Sequence, residues 1–288
     1  MIRHGVELQK ESTEAWMHHG LVVLSETLDR IGWGRVRPAP TSANSARFKH
    51  RRFSQIVQHF RQCFWKFDRS AEHAELCRAE IARWADKGRL PEPHLSLEEF
   101  CKFQAASEDL QLFLDLMLFY LRIMADTLAR LVPYMHQRQG IIPTRSFRDQ
   151  RNWFVRQQPD FDRGYTAILN EHGGWFETLA GKGPSGLRDA MVHDLATYQL
   201  GWSVGPGAQG EVKVIPSLVN ARGFIANDLI SAIREITFGW CAFLDAAHGH
   251  FVHLLSEEGL LTRDDLQTRL YHSDGRLPSF WVYPTFED

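Results

Sequence analysis

The sequence predicts a mainly α-helical protein, a helical bundle with long central helices and a small β-hairpin insertion. Three observations lead there. Apolar residues recur at helical spacing through most of the chain. Glycine and proline clusters fall between those stretches rather than inside them. A single segment, residues 200–219, departs from helical spacing and flanks Gly205-Pro206-Gly207 and Gly210 with Trp202, Val204, Val212, Val214 and Ile215, which reads as a hairpin. At 288 residues, 44% hydrophobic and 24% charged, the chain can bury a substantial core and lacks the composition of a disordered one.

In chain order, a first helix is expected over about residues 6–31, ended by Gly32-Trp33-Gly34, with a loop through Pro38 and Pro40. Phe53, Ile56, Val57, Phe60, Phe64 and Phe67 fall on one face of a second helix, over about residues 47–68. A third is expected over about 70–87, stopped at Gly88. Ser96, with Glu98 and Glu99 behind it, caps a long apolar helix toward Met135, and Pro133 should kink or stop it. Residues 141–159 are Arg-rich and give no clear period. A helix over about 161–179 is interrupted near Gly173-Gly174, and another over about 185–198 follows a glycine-rich breaker. The last long helix covers about 224–258, then come a short helix near 262–271 and an extended aromatic tail. By domain, residues 1–95 form an N-terminal helical region packed on the core, 96–260 the main bundle with its insertion, and 261–288 a C-terminal short helix and tail.

Charge excludes some functions. Lys and Arg total 33 against 35 Asp and Glu, a net charge of −2, so no global field attracts nucleic acid or an anionic membrane. The most apolar run, residues 110–132, carries Asp115, Arg122, Asp126 and Arg130, which argues against a membrane span. The polar N-terminal stretch lacks a signal-peptide core. Cys63, Cys77, Cys101 and Cys241 form no CxxC pair and read as buried free thiols in a reducing compartment. The expected address is the cytoplasm, without a cofactor or a resident metal.

The pointed chemistry lies at Arg188-Asp189-Ala190-Met191-Val192-His193. Ser185 is a good N-cap, placing Arg188, Asp189 and His193 in the first turns of a helix. Asp189 and His193 are four apart, on one face, so the carboxylate can orient the imidazole. Arg188 and His193 diverge by about 140° on one helix. A second copy of that helix, brought by a two-fold dimer, would complete a site. Arg would fork onto a phosphate and His would move a proton at a ribose 2′-hydroxyl.

These residues resemble the motif of the HEPN family: Arg, a polar residue, three variable residues, then His, near the start of a late helix. The family consists of helical bundles, many of them metal-independent ribonucleases. The resemblance implies catalytic roles for Arg188 and His193 with Asp189 assisting, and a homodimer formed through the motif helix. The implied reaction is RNA cleavage by attack of the 2′-hydroxyl on the adjacent phosphorus, and a toxin-like or defence setting would suit it. It covers the hexad and a plausible helix order from about residue 98 to 258, not residues 1–95.

Arg51, Arg52, Arg61 and Lys182 are candidate RNA contacts, with Phe48 or Trp65 as stacking partners. Two alternatives stand beside this reading. One is a non-catalytic module of the same fold that binds a nucleotide, RNA or protein. The other is a metal enzyme built on the last long helix, where His248, His250 and His253 sit near Asp245 and Glu257 at helical spacing.

Overall fold

The computed structural model describes residues 43–86, 96–136, 138, 140–181, 186–188, 198–206, 212–220 and 223–257. Among the described residues, the elements with both ends described are α1 (Ala43–Asp86), α2 (Leu97–Met135), α3 (Phe147–Gln157), α4 (Arg163–His172), α5 (Trp175–Ala180), β1 (Tyr198–Pro206), β2 (Val212–Asn220), β3 (Gly223–Ala226) and α6 (Leu229–Glu257). The fold is mainly α-helical, as the periodicity predicts. The helix expected over residues 6–31, and the short helix and tail beyond residue 257, lie outside the described residues.

The two helices expected over 47–68 and 70–87 are one continuous helix of 44 residues, α1. No glycine or proline lies between Ala43 and Asp86, and Ser70 does not cap a new helix: its hydroxyl donates 2.8 Å back to the Lys66 carbonyl. The phenylalanine spacing marks the inward face of α1, since Val57, Phe60, Phe64 and Phe67 are all buried. α1 lies along α2. The ring of His73 stacks on Phe113 at 4.9 Å and Lys66 sits over Tyr120, so the pair runs antiparallel.

α2 begins with a reciprocal cap. Glu99 N–H donates to Ser96 Oγ at 3.3 Å, and Ser96 N–H donates to Glu99 Oε2 at 3.0 Å. Pro133 neither stops the helix at once nor leaves it much longer, since α2 ends two residues later at Met135. Its buried residues cover more than one stripe, including Leu110, Leu114, Met117, Leu121, Met124 and Leu128. α2 therefore touches α1 on one side and α3, α5 and α6 on others.

Asp115 interrupts that apolar surface. Its Oδ1 is shielded from solvent and has no hydrogen-bond partner, and burial pushes its pKa up to about 6. A carboxyl whose pKa rises on folding favours the native state most at acid pH. Its contribution falls as pH climbs from about 4 to about 6. Discounted for the part of the group that stays solvated, the penalty at pH 7 is about 1–2 kcal/mol. Asp115→Asn is therefore expected to gain that much at pH 7 and almost nothing near pH 4, measured by urea unfolding at both. An equal gain at both values would remove ionisation as the cause.

The second half packs through aromatic rings. Phe147 and Phe154 of α3, Tyr165 of α4, Phe176 of α5 and Trp240, Phe243 and Phe251 of α6 are all fully buried. Phe147 meets Phe176 at 5.0 Å and Phe243 edge-on at 5.4 Å, and Trp175 meets Trp240 at 4.7 Å. The insertion exceeds a hairpin. It is an antiparallel sheet in the order β1-β2-β3, and β2 packs on α1 and α6. Residues 224–226, expected to open the last helix, belong to β3, and Tyr198, expected to end a helix, opens β1. No helix among the described residues is long and apolar enough to cross a membrane.

Candidate functional site

The motif helix is entered through a tight backbone contact. α5 ends at Ala180, and Gly181 N–H donates 2.8 Å to the Glu177 carbonyl. The chain then returns so closely that a Cβ on Gly186 would lie 2.5 Å from Gly181 N and 2.8 Å from its carbonyl oxygen. Only glycine fits this approach. Leu187 follows at once, 4% exposed and part of the core. Leu187 and Arg188 are helical, so Arg188 stands at the start of a helix as expected, half-buried at the end of α5. Lys182, Ser185, Asp189 and His193 lie outside the described residues.

Of the other predicted contacts, Arg52 is exposed on α1, whereas Arg61 is half-buried and its Nε is shielded from solvent. Arg61 fits the flank of the helix rather than an open basic face. Arg51 belongs to α1, and its side chain lies outside the described residues.

The histidines of α6 behave differently from the predicted metal set. His250 turns away from its own helix, placing Nε2 2.8 Å from Asp162 Oδ1 and 2.9 Å from Oδ2. His136, just past α2, brings its Nε2 within 3.1 Å of the same carboxylate. Asp162 also caps α4, accepting from Tyr165 N–H at 2.7 Å. One carboxylate, 2% exposed at its side chain, thus joins the end of α2, the start of α4 and α6. His253 is exposed, and the side chains of His248 and Glu257 lie outside the described residues. Among the described residues no three His, Cys, Asp or Glu side chains are placed to hold a metal ion.

His136 is enclosed by Phe154, Phe161, Tyr165 and Phe251, with ring centroids 5.4–6.2 Å away. Gly164 lets α4 approach α6, because a Cβ there would come within 2.5 Å of His250 Cε1. The sequence reading missed this cluster. Asp162 carried a signal as a capping residue before α4, but nothing in its neighbourhood names His136 or His250.

The cysteines correct a simpler expectation. Cys63 is buried, Cys77 and Cys241 are half-buried, and Cys101 is exposed. Burial raises the thiol pKa of Cys63, Cys77 and Cys241, which makes them poor nucleophiles.

Compared with family models, curated proteins and solved structures, the chain matches none, so its function is read from its own residues.

Proposed function

We propose that the chain is a metal-independent endoribonuclease of the HEPN type, acting as a homodimer through the helix that begins at Leu187. The observation that supports this most is the placement of Arg188. It sits half-buried on a helix start anchored by Leu187, five residues before His193 and one before Asp189. A guanidinium held there would stabilise the negative charge of a phosphorane. An imidazole from the partner copy of the helix would take the proton of the 2′-hydroxyl. That oxygen attacks the adjacent phosphorus, the bond to the 5′-oxygen breaks, the imidazolium just formed returns its proton to that leaving oxygen through water, and a cyclic phosphate remains.

The test is cleavage of single-stranded RNA in excess chelator. The parent protein should cut and His193→Ala should not, with both eluting as dimers. Cleavage retained in a folded His193→Ala, or abolished in the parent by chelator, would remove the reading.

A further inference from the structure

Charge along α1 is distributed unevenly. Residues 43–67 contain six Lys or Arg, two His and no Asp or Glu, although the whole chain has a net charge of −2. The first acid, Asp68, is only 8% exposed and lies on the core side. The next on the helix, Glu72, is paired with Arg69 at 2.5 Å. Opposite the phenylalanine stripe, α1 presents Gln55, Gln58 and Gln62 to solvent, followed by Trp65, Lys66 and Arg69. Trp65 is 58% exposed, unlike the large rings of the core, and the Arg69 guanidinium lies over its ring at 5.8 Å.

We infer that this outward face of α1, from Arg52 to Arg69, binds single-stranded nucleic acid. Trp65 would stack on a base, while Arg52, Lys66 and Arg69 take phosphates. The face spans about 25 Å at the helical rise, enough for several nucleotides of an extended strand. Exposed aromatic surface beside cations, with no acid between Arg52 and Trp65 and the first solvent-accessible one, Glu72, only at the far end on Arg69, is the combination that recognises unstacked bases on a charged backbone. The neighbouring glutamines can hydrogen-bond bases or sugars. They also make the face too polar for the interior of a lipid surface. A duplex hides the base faces that Trp65 would meet, so the face should prefer single strands. This inference stands apart from the cleavage reading and holds whether or not the chain cuts what it binds.

The experiment is fluorescence anisotropy with a short labelled 2′-O-methyl oligonucleotide, which cannot undergo transesterification, so failure of binding and failure of cleavage are separate results. Trp65→Ala is expected to weaken binding about tenfold. Both Trp65 and Lys66 are exposed, so these substitutions leave the core untouched. For three phosphate contacts on a single strand, log affinity should fall against log salt with a slope of roughly −2, and Lys66→Gln should make it about 0.7 shallower. Displacement by unlabelled single-stranded DNA or RNA would support the inference. Unchanged binding by Trp65→Ala, equal affinity for a duplex of the same sequence, or equally good competition by polyglutamate would overturn it.

Discussion

Asp162→Ala is expected to destabilise the protein by about 3–5 kcal/mol, the largest single-residue effect outside the aromatic core. The carboxylate serves three elements at once: it caps α4 through Tyr165 N–H and faces the Nε2 atoms of His136 and His250. Alanine removes the acceptor of Tyr165 N–H and the hydrogen-bond partner of His250 Nε2, and takes the carboxylate from beside His136, where water barely enters, since the side chains of His136 and Asp162 are 3% and 2% exposed. Each buried donor left without a partner costs about 1–3 kcal/mol. Against a typical domain stability of about 5–15 kcal/mol, the loss is a large fraction. Urea unfolding followed by circular dichroism measures it. His250→Ala should cost less, because the cap and His136 remain. A loss under about 1 kcal/mol in Asp162→Ala would show that the carboxylate is not the hub described.

Gly186→Ala is expected to impair folding and, on the proposed reading of Arg188, RNA cleavage. The added methyl would meet Gly181 N, Gly181 O and Ala180 C at 2.5, 2.8 and 2.9 Å, all backbone atoms that no rotamer change can move aside. Overpacking of this kind costs about 1–3 kcal/mol. Relief requires the chain after Gly186 to shift, and Leu187 and Arg188 are the next residues. A displacement of the order of 1 Å in a group that positions substrate can cost about 100-fold in rate. Thermal unfolding and RNA cleavage per folded molecule are the two measurements. Full cleavage with an unchanged unfolding midpoint would mean that the Gly181–Gly186 contact does not place Arg188.

The features legible in advance were those carried by local chemistry. Ser96 with Glu99 three residues on announced the start of α2, and the phenylalanine spacing announced the buried face of α1. α3 gives no clear helical period because three of its four apolar residues, Trp153, Phe154 and Val155, are consecutive, although Ser146 caps it by accepting from Asp149 N–H. Two helices were expected where α1 is continuous, because a serine reads as a cap unless its hydroxyl turns inward to a carbonyl, as Ser70 does. β3 stands where periodicity predicts a helix start: so short an apolar run has no period of its own, and only pairing with β2 makes it a strand. That a helix starts just before Arg188 was legible in the glycine-rich breaker that precedes it. The carboxylate shared by His136 and His250 was not, since tertiary packing alone brings those residues together.

Asp162 and His250 are separated by 88 positions. The α1–α2 pair needs only a short connection to form and closes over neighbouring sequence. The link from α4 to α6 encloses α5, β1, β2 and β3 in its loop. Contacts that close such large loops form late. Energy gained after the folding barrier slows escape from the native state and leaves the rate of arrival nearly untouched. Asp162→Ala is therefore expected to speed unfolding more than it slows folding, so that the buried carboxylate would govern how long α6 stays docked.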